Sequence, residues 1–187
     1  VTSAEVVLSV SRDTSVAKAA IIDLVTAYNG FEGVMKELTG SVTSTGEAGS
    51  LKTDSSIRAI REKVKDYLSV DSSTPGNSMA SINDIGIRLQ KDGLYRVDDV
   101  ALGKALTSYY DDITLMFSAD TNDQSTYSTD SRGIAGDIVN QIADYLAYDG
   151  IVATRSSGYV GTTSKLEDEQ IALDKKMAGV EERYTKQ

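Results

Sequence analysis

Apolar residues recur along this chain at two different periods, and the alternation between them sets out most of its elements. After Asp13-Thr14, which can cap a helix, they fall at Ala17, Ile21, Leu24, Tyr28, Phe31, Met35 and Leu38. The spacings alternate four and three, a heptad-like seam that predicts a helix over 13–38 with Gly40 available at its C-terminal end. A polar Gly/Ser/Thr stretch over 41–50 separates it from a second helix, capped by Asp54 and carrying Ile57, Ile60, Val64 and Leu68 on one face. The only Pro of the chain, Pro75, stands beside Gly76 in a connector over 69–78.

The period then shortens. Ile85-Gly86-Ile87-Arg88-Leu89 and Leu94-Tyr95-Arg96-Val97 flank Lys91-Asp92-Gly93, which predicts a β-hairpin with Ile87, Leu89, Tyr95 and Val97 toward a core. Asp98 can cap a further helix that carries Leu102 and Leu106 and closes near Met116-Phe117. A polar loop is expected over 122–132, then a helix over 134–148 through Ile138, Ile142 and Leu146, stopped by Gly150. Residues 156–164 are rich in Gly, Ser and Thr and read as a flexible joint. A charged closing helix follows with its seam at Leu166, Gln170, Leu173, Met177, Val180, Tyr184 and Gln187, again spaced four and three.

The fold class this predicts is mainly α: an elongated helical bundle with coiled-coil-like long helices and a small β-hairpin. Three parts are expected. Residues 1–12, with the β-branched run Val6-Val7-Leu8-Ser9-Val10, read as a strand stub of a preceding sheet domain; 13–163 form a helical domain; 164–187 form a coiled-coil-like helix leading onward. The chain opens on Val without a signal peptide and reads as a piece of something longer. The closing helix cannot be stable alone in water, since only its seam is apolar. The opening helix, matched to it in length and period, is its expected neighbour.

Composition narrows the chemistry. Lys and Arg total 19 against 28 Asp and Glu, a net charge of -9 with no basic block, which argues against nucleic acid and against an anionic membrane surface. No stretch approaches the eighteen or so apolar residues of a membrane span. The chain has no Cys and no His, which excludes disulfides, thiol nucleophiles, zinc-thiolate sites and the commonest general base. Asp120, Asn122 and Gln124 resemble the start of a calcium loop, but Ser125 stands where Gly is needed and Ser131 where a bidentate Glu is needed. Gly46 and Gly49 lack the preceding strand and following Lys of a phosphate loop. The carboxylates at Asp98-Asp99, Asp111-Asp112, Glu167 to Glu169 and Glu181-Glu182 are adjacent in sequence, so on a helix they point about a hundred degrees apart, do not converge on a substrate and read as solvated charge. Tyr28, Tyr67 and Tyr145 lie on helical apolar faces. Tyr109, Tyr110, Tyr127 and Tyr159 fall in less periodic segments and are interface candidates.

Four stretches, in this order, resemble the C-terminal part of the bacterial flagellar filament-capping family, hook-associated protein 2. They are Leu24-Val25-Thr26-Ala27-Tyr28-Asn29 with Leu38-Thr39; Gly49-Ser50-Leu51-Lys52-Thr53-Asp54 with Ile57-Arg58; Ile85-Gly86-Ile87, Lys91-Asp92-Gly93, Val97-Asp98, Leu102 and Phe117; and Arg132-Gly133-Ile134-Ala135 leading to Gly150-Ile151 and the charged helix. Thr53 departs from the family, which usually has Gly there. The resemblance implies the helical leg of a cap subunit, packed with an N-terminal helix outside this chain and continuing into a terminal stem. It further implies a non-catalytic, homo-oligomeric protein without cofactor or metal, extracellular at the flagellum tip and exported through the flagellar channel. Its partners would be copies of itself, flagellin, a hook–filament junction protein, an export chaperone and host surface ligands. Two other readings stand beside it: a helical surface adhesin, and a carboxylate-based hydrolase built from distant acids.

Overall fold

The computed structural model describes residues 12–42, 44–119 and 130–186. The expected strand over Val6–Val10, the calcium-like spacing at Asp120, Asn122 and Gln124, and Tyr127 lie outside the described residues. The described elements are α1 (Ser15–Thr39), α2 (Ser55–Ser69), β1 (Ile87–Leu89), β2 (Tyr95–Val97), α3 (Asp99–Ser108), α4 (Tyr110–Ser118), α5 (Gly133–Leu146) and α6 (Ile151–Thr185). They divide into two units, residues 1–140 and 141–187.

In the first unit α1 runs unbroken through Gly30 and Gly33 for 25 residues, as its seam predicts. Two internal glycines cost about 1 kcal/mol each relative to Ala, and packing of the intervening face offsets this. The buried face is Ile21, Val25, Tyr28 and Glu32, at spacings of four, three and four. It is therefore turned slightly from the seam read in the sequence. At the start of the helix the Asp13 carboxylate accepts from Ser15 N–H at 2.9 Å. The hydroxyl and N–H of Ser15 hold that carboxyl below its ordinary range.

Asp54 and Asp98 both cap as expected. Asp54 Oδ1 accepts from Ser56 N at 2.8 Å and from Ile57 N at 3.3 Å, and Asp98 Oδ1 accepts from Val100 N and Ala101 N at 3.1 and 2.9 Å. Each satisfies N–H groups that a helix start leaves orphaned. Ile60, Val64 and Leu68 of α2 are buried. The hairpin pairs Ile87 with Val97, Arg88 with Arg96 and Leu89 with Tyr95. Gly93 in its turn has φ +79, the left-handed region that favours glycine. Ile87 and Tyr95 reach the core, whereas Leu89, expected to do so, is 36% exposed. Leu89 stands opposite Tyr95, and it is Tyr95 that packs under α1, against Tyr28 and Asn29.

One expected helix after Asp98 is two. Tyr109, at φ −135 and ψ 35, closes α3 and opens α4. Thr107, Ser108 and Tyr109 are weak helix formers in succession, and the break falls among them. The connector over 69–78 then fastens the end of α4. Ser72 Oγ donates to the Met116 carbonyl at 2.6 Å, at a helix end whose last carbonyls lack helical partners, and Thr74 Oγ1 donates to the Leu115 carbonyl at 2.8 Å, which also accepts from Ala119 N. Ile82, Ile85, Ile87, Leu102, Leu106, Met116 and Ile134 form the fully buried centre of this unit.

The second unit contains the end of α5 and all of α6. Beyond Ile138 the expected apolar face of α5 is not buried: Ile142 and Leu146 are 39% and 67% exposed. Gly150, expected to stop a helix, starts the next as the N-cap of α6. The expected flexible joint over 156–164 is helix throughout, so that α6 runs for 35 residues, about 52 Å at 1.5 Å per residue. Once a helix is nucleated each further residue adds a hydrogen bond, and Ser, Thr and Gly are penalised only by fractions to about 1 kcal/mol each. Thr162 also returns its hydroxyl to the Gly158 carbonyl at 3.0 Å, which takes up its polar group within the helix. Among the described residues no helix is long and apolar enough to cross a membrane.

Candidate assembly surfaces

Three sets of residues were expected to meet partners: the α1 seam, the α6 seam and four tyrosines. The first divides in two. Ile21 and Tyr28 are buried in the core of their own unit. Ala17, Leu24, Phe31, Met35 and Leu38 are only half-buried and form a strip along α1. Where that strip begins, Ala17, Ala20 and Leu24 line a cleft of about 310 Å³ closed on its other side by Leu106, Ile113 and Phe117. Small side chains on α1 against large ones on α3 and α4 leave room for an apolar side chain to enter.

What holds α1 in position is a set of polar contacts that periodicity does not reveal. The Asn29 amide hydrogen-bonds the backbone of Tyr95 twice, donating to its carbonyl at 2.9 Å and accepting from its N–H at 2.8 Å. It thus takes the place of a third strand beside β2. Glu32, 2% exposed, receives Arg61 of α2 in a two-pronged pair, Nε to Oε2 at 2.8 Å and the terminal nitrogen to Oε1 at 2.5 Å. Lys36 lies 3.7 Å from Oε1 and donates to the Asp92 carbonyl in the hairpin turn. A buried carboxylate survives only when paired and hydrogen-bonded in this way. Its sequence signal was present but faint: one acid falling in the buried row after Ile21, Val25 and Tyr28. Tyr28 packs edge-on to Tyr95 at 5.0 Å. Burial, with the Glu32 charge behind it, pushes the Tyr28 phenol up to about 12, and burial raises Tyr95 as well.

The α6 seam stays open to solvent along its length. Leu166, Leu173, Met177, Val180 and Tyr184 are 60%, 57%, 55%, 40% and 74% exposed, and none of the described residues of α6 is buried. Of the tyrosines, Tyr109 at the α3–α4 break and Tyr159 on α6 are exposed. Tyr110 is half-buried with the Arg12 guanidinium 4.4 Å over its ring, Arg12 being tied in turn to Asp111 at 2.6 Å. That ring is occupied by its own unit. Tyr148, which periodicity had placed inside a helix, is fully exposed in the turn after α5.

The whole chain, residues 1–187, matches the family model of the flagellar hook-associated protein 2 C-terminus. The chain belongs to that family. It is 27% identical over its full length to the A-type flagellar hook-associated protein 2 of Pseudomonas aeruginosa, of which it spans 37%. With the flagellar hook-associated protein 2 of Escherichia coli O157:H7 it shares 26% identity over 94% of its length, spanning 38% of that relative. The polar flagellar hook-associated protein 2 of Vibrio parahaemolyticus is 24% identical over 94% of the chain, which spans 25% of it. In three dimensions 79% of the chain superimposes, with a TM-score of 0.66 and 27% identity, on 37% of the crystal structure of the flagellar cap protein FliD D1-D2-D3 domains from Escherichia coli. The chain is thus similar to the C-terminal third or so of hook-associated protein 2. The mainly helical fold with its two-stranded hairpin is the fold of that neighbour.

Proposed function

We propose that this chain is the helical leg portion of a flagellar cap subunit, which assembles with copies of itself at the distal end of the filament and promotes flagellin addition without making or breaking a bond. The observation that carries this reading is α6. Its apolar seam recurs in heptad register over more than two heptads, yet every large apolar residue of that seam from Leu166 to Tyr184 lies open to solvent. A surface helix of mostly polar sequence stands through tertiary or quaternary partners rather than through propensity, so the seam is an assembly surface. The half-buried strip of α1, with its cleft at Ala17 and Leu24, is a second one, suited to a helix supplied by another part of the intact subunit. Family membership supports a setting outside the cell at the flagellum tip; on this reading the subunit is exported to that site and has flagellin and the hook–filament junction as neighbours.

The test uses the intact parent protein. Leu173→Asp with Val180→Asp puts two charges into the seam and is expected to give a monomer in sedimentation velocity and a non-motile strain when it replaces the wild type. A double variant that still oligomerises and still supports swimming would remove α6 from the assembly and sink the reading.

A further inference from the structure

The β1–β2 hairpin places Arg88 directly opposite Arg96. Ile87 and Tyr95 face the core, so the two arginines share the outer face, where both are exposed. Side chains directly opposite on a ladder stand about 5 Å apart, and like charges there destabilise the pair. Arg96 has a distant carboxylate, Asp92 Oδ2 at 3.8 Å, and Arg88 forms no ion pair among the described residues. Two guanidiniums are thus held side by side on a rigid ribbon, at the expense of hairpin stability, in a chain whose net charge is -9. The planar guanidinium fork fits a carboxylate in two-pronged fashion. The chain itself carries an anionic run: Glu167, Asp168 and Glu169 on α6 are consecutive and exposed, stand about a hundred degrees apart around the helix so that two neighbours at a time share a side, and form no ion pair among the described residues.

We propose that the outer face of the hairpin, Arg88 with Arg96, is a docking point for the Glu167–Glu169 carboxylates of a second copy of this chain. The proposal rests on the self-association reading above, which brings second copies within reach. It adds a charged contact to the apolar seam. Apolar seams recruit with little choice of register, whereas a paired-arginine clamp on two neighbouring carboxylates of the run accepts few alignments, so the contact sets which copy meets which and where.

Arg88→Glu in the intact parent separates docking from folding. It converts a like-charge cross-strand pair into an opposite one, so the melting temperature holds or rises, while self-association by sedimentation equilibrium weakens at least tenfold. Glu167→Lys with Glu169→Lys is expected to weaken it similarly, and raising the salt to 0.5 M should bring the wild type toward both variants. Mixing the two charge-reversed proteins should restore mixed oligomers. If the wild type associates and Arg88→Glu associates equally well, the arginine docking point is overturned and the seam reading stands. Arginine variants that weaken association but are not rescued in the mixture overturn the choice of Glu167–Glu169. A wild type that stays monomeric at every concentration overturns self-association itself.

Discussion

The first unit and α6 are made of similar material, helices with apolar residues every three or four positions, and they end in opposite states. In the first unit those positions vanish inward: Leu102, Leu106 and Met116 are at most 1% exposed. On α6 positions of the same type are 40–74% exposed from Leu166 to Tyr184. The difference lies in what surrounds each helix in sequence. The first unit surrounds its helices with short capped segments, a hairpin and a connector that can fold back on them. Residues 151–185 are a single helix, and a straight helix cannot bury its own seam. Periodicity thus reports that a face needs a partner, and only the neighbouring elements decide whether the partner is in the chain or outside it.

The comparison is sharpest for one residue type at two places. Leu106→Ala should destabilise the first unit by about 2–5 kcal/mol, the range for a buried leucine that leaves a cavity. Leu173→Ala should change the stability of the isolated chain by no more than about 0.5 kcal/mol, the usual range for an exposed site. Its effect should appear instead as weakened self-association of the intact parent. Urea denaturation of both variants, followed by tryptophan-independent far-ultraviolet dichroism, checks this, since the chain has no Trp. Equal losses at the two leucines would mean that α6 is packed like the core.

A smaller effect is expected at the hairpin turn that anchors α1. Gly93→Val requires a β-branched residue at φ +79, and its Cβ would lie 2.9 Å from Glu32 Oε1. Strain of this kind costs about 1–3 kcal/mol, and pressure on the buried Glu32–Arg61 pair adds to it. Amide exchange should show the loss first at Tyr95 and Asn29. A melting curve unchanged from wild type would mean that the turn is not part of the cooperative unit.

These positions also show where a sequence yields its structure and where it does not. Asp54, Asp98 and Gly93 were legible because caps and tight turns are decided by one or two residues and their immediate neighbours. The unbroken α1 was legible from period alone, and the order of elements up to Asp98 from period together with the Asp-Gly turn. Glu32 was not, because its burial depends on Arg61, 29 residues away, and no local pattern links the two. The run over 156–164 misled in the other direction. Its Gly, Ser and Thr favour a joint, but flanking helix on both sides carries the hydrogen-bond ladder through. Of the residues proposed to face partners, the α6 row was visible in the sequence as an apolar period, whereas the arginine pair on the hairpin emerged only once the register put Arg88 opposite Arg96.

The smallest effect probes the two units most directly. Gly30 in α1 and Gly158 in α6 are both helical, and a Cβ built on either meets nothing within 4 Å, so Ala fits equally well at each. The intrinsic gain is the same, up to about 1 kcal/mol from the conformational freedom that Gly loses on folding. Its readout should differ. Gly30 lies two residues from Tyr28 and one from Asn29, which tie α1 to the core and to β2; Gly30→Ala should therefore raise the main melting transition by a few degrees. Gly158→Ala strengthens a helix with no buried residue, so the gain should appear as more negative ellipticity at 222 nm at low temperature, with the main transition unmoved. Calorimetry and dichroism on the two variants side by side decide the matter. If Gly158→Ala shifts the main transition as far as Gly30→Ala does, α6 melts with the first unit, and the contrast between a self-sufficient unit and a helix awaiting partners fails.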